Sequence, residues 1–334
     1  MEAQLLRQVL EVQGQLYLKP GDRILFVLAG PYAEAPVERW FRDYSPNVVR
    51  IPAIEHPSQD YPLDESLLEG KTVGWLIVNV SISHAPSTCK MVGRGMFIIS
   101  NPGITSNWPA VLDPENRPIC QAHASAILKA IGGDVSGRVH ITHQDGTDLD
   151  LWVPEGNWEA EIGGRKNVGT NGLYGELYTA PYLAEGIYVL QPGDFLTNPI
   201  NRLCSIVRLI IRGNKVTAAT GDRDAIQLRE ILNGGKTPFR YMLGEFAIGL
   251  NPAILAQVYR SVVAEKLVGG IHIAIGTNSV CLKPECPDIG KFQHGRYNAG
   301  VHIDCIKFGT TVVFYPKTEP EKEVTILQGG VLMV

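Results

Sequence analysis

Five ionisable residues, Glu176, Glu245, His272, His302 and Asp304, sit inside apolar runs in the C-terminal half of the chain. In VHIDCI (301–306), strand alternation sends Val301, Ile303 and Cys305 to one face and His302 and Asp304 to the other. GIHIAIG (270–276) places His272 with Ala274 and Gly276, opposite three isoleucines, and GEFAIGL (244–250) places Glu245 with Ala247 and Gly249. In LYGELYTAP (173–181), Glu176 shares a face with Tyr174 and Tyr178. An ionised carboxylate without a partner is too costly to bury, so such groups are paired, hydrogen-bonded or bound to metal. Two Glu, two His and one Asp make a nitrogen and oxygen ligand set for one or two divalent ions such as Zn, Co, Mn or Fe(II). Two ions bridged by a carboxylate about 3.5 to 4 Å apart lower the pKa of bound water and polarise a carbonyl, which is the chemistry of amide hydrolysis. A carboxylate not fully spent on metal, Glu245 or Glu176, would carry the proton. The competing readings are a salt-bridged polar cluster and a single ion with open positions.

The elements that must position these residues are short strands. RILFVLAG (23–30), VVRIPAI (48–54), VGWLIVNV (73–80) and GMFIIS (95–100) alternate with helix-length stretches, after an amphipathic helix that carries Leu5, Val9, Val12 and Leu16. That alternation predicts a small α/β N-terminal layer domain over 1–134, closed by a helix at 120–133 that ends in a glycine pair. From 135 to 334 the texture turns to glycine-punctuated strands, predicting a β-rich α+β domain that carries the metal site. Helices are expected there at 224–235 and 251–270.

The ordered elements GTDL (146–149), GELYTAP (175–181), GEFAIG (244–249), GIHIAIG (270–276) and HID (302–304) resemble the aminopeptidase T and aminopeptidase S family of metallopeptidases. The resemblance spans most of the C-terminal half. It implies a two-metal site with Glu176, Glu245, His272, His302 and Asp304 as ligands, a homodimer, and a small peptide or amide as substrate. The family's tyrosine seven residues after the HIA histidine is replaced by Ser279. Tyr297, Arg296 or His294 could stand in for it, with Tyr297 the candidate catalytic donor. The chain also resembles the related 2,5-dihydroxypyridine ring-cleaving dioxygenases, which hold one Fe(II) through two His and one Asp. In those enzymes a histidine replaces the GEFA glutamate and the HIA histidine is absent, so Glu245 and His272 favour the hydrolase. An inactive dimeric binding protein on the same scaffold is the third expectation.

The bulk composition narrows the partners. Of 334 residues, 45% are hydrophobic and 19% charged, the balance of a folded globular protein, and the net charge of -4 comes without any long basic run. Neither nucleic acid nor an anionic membrane is therefore an expected partner. The N-terminus lacks a signal-peptide core and no run of about 18 apolar residues occurs, so a cytoplasmic location is expected. The six cysteines are expected as free thiols, with Cys281 and Cys286 read as loop residues. His140 and His143 read as surface polar groups, and His56, His84 and His123 as structural or exposed. Arg165 or Lys166, in a glycine-rich loop, is a candidate for meeting a substrate carboxylate.

Overall fold

The computed structural model describes residues 3–55, 59–79, 81–82, 85–165, 169–170, 172–197, 200–253, 262–279 and 281–334. The chain divides into two compact units. The first comprises Met1–Pro114, Gly163–Tyr174 and Ser261–Val263. Its 5-stranded sheet runs in the order Asn47–Ile51, Ile24–Ala29, Val73–Val78, Phe97–Pro102, Gly169–Thr170, every neighbour parallel. Strands Ile24–Ala29 and Val73–Val78 are buried along their whole length, which is why they read as continuous apolar runs rather than alternating ones. Helix Ala3–Tyr17 buries Leu6, Val9, Leu10 and Tyr17. In the same unit Gln13 donates to the Gly172 carbonyl at 2.6 Å, holding the returning segment 163–174 to the layer. The expected α/β layer is present.

The second unit comprises Glu115–Ile162, Gly175–Arg260 and Ala264–Val334, and it holds an 8-stranded and a 7-stranded antiparallel sheet. Here the division differs from the predicted boundary at 134/135. The helix Asn116–Ile131, capped by Gly132 in the left-handed region at φ 94°, packs on strands Glu176–Thr179, Thr311–Pro316 and Val324–Gln328. His123 on that helix, a structural residue as expected, lies with Nδ1 2.8 Å from the Leu250 carbonyl. The helix therefore belongs with the second unit's core.

Helix Arg223–Asn233 forms where expected. The span 251–270 departs from the expected helix. Asn251 pairs with Leu267 in an isolated bridge and Val262–Lys266 is a 3-10 turn, while 254–261 lies outside the described residues. No helix among the described residues is long and apolar enough to cross a membrane.

Candidate metal centre

Four neighbouring strands of the 7-stranded sheet carry the five predicted ligands. In order they are His302–Phe308, Gly270–Gly276, Leu243–Gly249 and Glu176–Thr179, all antiparallel. The register aligns Asp304 with Ala274, Ala274 with Glu245, Ala247 with His272 and with Tyr178, and Gly276 with His302. Directly paired residues point to the same face and alternate residues share it, so all five side chains project from one side of the sheet. Alanine and glycine occupy the positions between them, and this leaves the imidazoles and carboxylates room to converge. The strands Leu243–Gly249 and Gly270–Gly276 are buried throughout, and among the ligands Glu176, Glu245, His272 and Asp304 are each at least nine-tenths buried.

Glu245 is the hub. Its Oε2 lies 2.9 Å from His302 Nε2, and its Oε1 lies 3.5 Å from His272 Nε2. His272 Nε2 is 3.9 Å from Glu176 Oε2, and His302 Nε2 is 3.1 Å from Asp304 Oδ1. The Thr277 carbonyl, 2.9 Å from His302 Nδ1, holds the proton on that nitrogen in the neutral ring and leaves Nε2 as the ligating atom. Thr197 donates to Asp304 Oδ2 at 2.8 Å, which fixes the carboxylate. Two ligand groups emerge, Glu176–Glu245–His272 and Glu245–Cys281–His302, each with its donor atoms within 4.8 Å of one another and Glu245 common to both.

A metal fits this set on the state of its buried atoms. Among the described residues, Glu176 Oε2, His272 Nδ1 and Asp304 Oδ1 are buried without a hydrogen-bond partner. Orphaned carboxylate oxygens and imidazole nitrogen in a dry cluster are expensive unless a cation satisfies them.

Without an ion, protons balance the charge. Burial opposes charging His272, but its hydrogen bond to Glu245 and the charges of Asp304, Glu245 and Glu176 prevail and raise its pKa to about 9. His302 is likewise driven well above its ordinary value, with Asp304 and Glu245 overcoming burial. The same pairing, working against burial, holds Glu245 well below the carboxylate range and Asp304 at about 2. Metal binding must therefore expel protons from the imidazoles, so affinity falls as pH falls.

Lys266 was not singled out by its sequence context. Its side chain is fully buried, with Nζ 2.5 Å from Glu176, 3.1 Å from Glu265 and 3.3 Å from Glu161. Burial would lower its pKa, but the three carboxylates hold it charged. Burial lifts Glu265 to about 7 despite the adjacent ammonium. The only hint in the sequence is a Glu-Lys pair before a glycine-rich strand.

Cys281 is a loop residue as expected, but its turn after strand Gly270–Gly276 brings it against the ligand face, which the sequence did not indicate. Its Sγ donates to Glu245 Oε2 at 2.8 Å. The three candidate substitutes for the missing tyrosine are used to fold this segment. Tyr297 stacks on Phe239 with ring centroids 4.6 Å apart, and its hydroxyl points to the Leu243 carbonyl at 3.4 Å. Arg296 donates to the carbonyls of Leu282 and Ser279, and His294 packs on Phe239. Arg165 is paired with Asp22 in the first unit and also donates to the Tyr17 carbonyl at 2.6 Å, which leaves it spoken for rather than offered to a substrate. Lys166, His56 and His84 lie outside the described residues. His140 and His143 are half-buried on their strand and pair with Asp150 at 3.0 Å and Asp145 at 3.1 Å.

The fold and site together define an α/β layer unit joined to a β-rich unit whose sheet face gathers carboxylates and imidazoles. A family model described as NicX, 2,5-dihydroxypyridine 5,6-dioxygenase, matches residues 117–264. That span includes Glu176 and Glu245 and stops before His272, His302 and Asp304. Among solved structures, the 2,5-dihydroxypyridine dioxygenase of Pseudomonas putida KT2440 is similar at 18% identity and a TM-score of 0.63, over 99% of this chain and 96% of that one. Wild-type AmpT from Thermus thermophilus is similar at 15% identity and a TM-score of 0.59, over 99% of both chains. These likenesses establish the shared fold. No curated protein matches the sequence significantly.

Proposed function

We propose that the chain is a divalent-metal enzyme that hydrolyses a peptide or related amide bond, in the manner of an aminopeptidase. The observation that carries this reading is the position of Glu245, whose two oxygens face two different imidazoles and which both ligand groups share. A carboxylate so placed is what a two-ion site requires as its bridge, and five or more donors exceed what one ion with open positions needs. Bound there, divalent ions such as Zn, Co or Mn supply Lewis acidity and lower the pKa of water. The chain's own residues supply orientation and proton transfer. The Thr277 carbonyl sets the His302 tautomer and Thr197 holds Asp304. Of the two carboxylates considered for the proton, Glu245 has both oxygens engaged by imidazoles. Glu176 keeps Oε2 to offer an ion while Lys266 holds Oε1, so neither carboxylate takes the proton without giving up one of these contacts. On this reading the substrate is small and the working form is a homodimer, a state that sedimentation measures.

A second reading is favoured by the family model and by the Pseudomonas structure: a ring-cleaving dioxygenase with one Fe(II) on a hydroxypyridine-like aromatic. Two imidazoles and one carboxylate are also a non-haem Fe(II) set. One experiment separates the two. Protein loaded with zinc, cobalt or manganese is offered aminoacyl fluorogenic substrates, and protein loaded anaerobically with Fe(II) is offered dihydroxypyridines with oxygen uptake recorded. Hydrolysis without uptake supports the proposal, and uptake without hydrolysis replaces it with the dioxygenase. Metal binding with neither activity points to the inactive binding protein.

A further inference from the structure

The thiol of Cys281 has no role in the ligand set that the strands predict, yet it stands inside that set. Its Sγ is 2.8 Å from Glu245 Oε2, the oxygen that also lies 2.9 Å from His302 Nε2. The sulfur, the carboxylate oxygen and the imidazole nitrogen all fall within 4.8 Å of one another. A second observation at the same place points to a cation. Asp304 Oδ1, on a residue more than nine-tenths buried, has no hydrogen bond beyond its 3.1 Å ion-pair approach to the same His302 nitrogen. The cysteine is also firmly held. Its amide donates to the Asn278 carbonyl at 3.0 Å and its carbonyl accepts from Asn157 Nδ2 at 2.9 Å. Asn157 Oδ1 accepts from the next-but-one amide, Lys283, at 2.8 Å, so one buried asparagine clamps both sides of the turn. Cys281 shares a buried apolar cluster with Tyr178 and Ala247, residues of the ligand face itself. A side chain fixed this way meets an incoming ion with little further ordering to be done.

We propose that Cys281 is a metal ligand, joining Glu245 and His302 on one ion, so that this half of the centre is a mixed sulfur, nitrogen and oxygen site selective for a thiophilic borderline cation such as Zn(II) or Co(II). The sulfur coordinates as thiolate, and its proton leaves to solvent as the ion enters. Thiolate ligation suits Zn(II) and disfavours Mn(II) and Mg(II), which prefer oxygen. The two halves of the centre then differ, one with a soft donor and the other, Glu176–Glu245–His272, without one. This inference rests on the metal reading of the cluster but not on the choice between hydrolase and dioxygenase.

The test is the absorption spectrum of the Co(II)-loaded full-length protein, with cobalt content measured on the same sample. The wild type is expected to show a near-ultraviolet thiolate-to-cobalt charge-transfer band that is lost in Cys281→Ser and kept in Cys286→Ser. Zinc affinity in Cys281→Ser is expected to fall by at least about tenfold, since loss of even an outer partner of a metal ligand typically costs 10–100-fold. X-ray absorption on the zinc-loaded wild type needs no variant, and it is expected to show sulfur scattering at about 2.3 Å. Cobalt bound without the band, a band that survives in Cys281→Ser or vanishes in Cys286→Ser, or a zinc shell of nitrogen and oxygen alone each overturns Cys281 as a ligand while leaving the metal centre standing. A wild type that takes up no cobalt or zinc overturns both.

Discussion

Replacing Glu245 by Gln separates a bridging carboxylate from an ordinary ligand. The substitution keeps the shape and removes one charge from a site where Oε1 and Oε2 face different imidazoles. Because Glu245 is common to both ligand groups, Glu245→Gln should lower the occupancy of both ions, whereas Glu176→Gln, a member of one group only, should lower the occupancy of one. The size follows from electrostatics. Two unit charges about 4 Å apart attract by about 4 kcal/mol at an effective dielectric of about 20, and a divalent ion doubles this. Even if a neutral amide oxygen recovers half, the loss is about 4 kcal/mol, or roughly a thousandfold in affinity. The apoprotein should also lose stability, because two imidazoliums forfeit their shared counter-charge and must shed protons instead. The assay is titration calorimetry with zinc, supported by elemental analysis after dialysis. Full zinc content in Glu245→Gln, or equal losses of one ion in both variants, would refute the bridging argument.

Three more perturbations follow from the geometry. Lys266→Met leaves Glu176, Glu265 and Glu161 facing each other without their cation, at a cost of about 3–5 kcal/mol that narrows as pH falls and the carboxylates take up protons; urea midpoints that match wild type would contradict it. Asp145 is nine-tenths buried, with Lys307 at 2.5 Å; burial works against ionisation, but the lysine and Thr147 hold its pKa at about 2, below an ordinary value of 3.8. A depressed carboxylate stabilises the fold above its unfolded pKa and loses that contribution as pH falls through the folded one. About 2 kcal/mol should thus vanish between about pH 4 and pH 2, and Asp145→Asn should flatten that part of the urea-stability profile. Gly276→Ala places a Cβ 2.2 Å from the Val301 carbonyl at a φ of 117°, at the position paired with His302, so a loss of roughly 1–3 kcal/mol with weakened zinc binding is expected by calorimetry.

Much of this centre was legible because strand parity is a local rule. Glu245 alternating with Ala247 and Gly249, and His272 with Ala274 and Gly276, already specify which side chains share a face, and the antiparallel register needed only to align them. The parallel strands of the first unit were equally plain, two of them, Ile24–Ala29 and Val73–Val78, from uninterrupted apolar runs. Residues brought in by turns were not legible. Cys281 reaches Glu245 because Asn157 and Asn278 fold the segment after the His272 strand, and no periodicity encodes that path. Lys266 lies in a 3-10 turn where the apolar spacing of 251–270 had suggested a helix, and its three carboxylates come from separate places in the chain. The domain boundary fell where a glycine pair ended a helix, yet that helix packs on the following strands, a tertiary preference that composition does not carry.

The most direct test of the central claim is a crystal structure of zinc-reloaded protein with anomalous data collected at the zinc edge. Anomalous peaks enclosed by Glu176, Glu245, His272, His302 and Asp304, with Glu245 touching two of them, are the predicted result. An empty ligand face at full zinc saturation, or zinc bound only elsewhere on the surface, would contradict it.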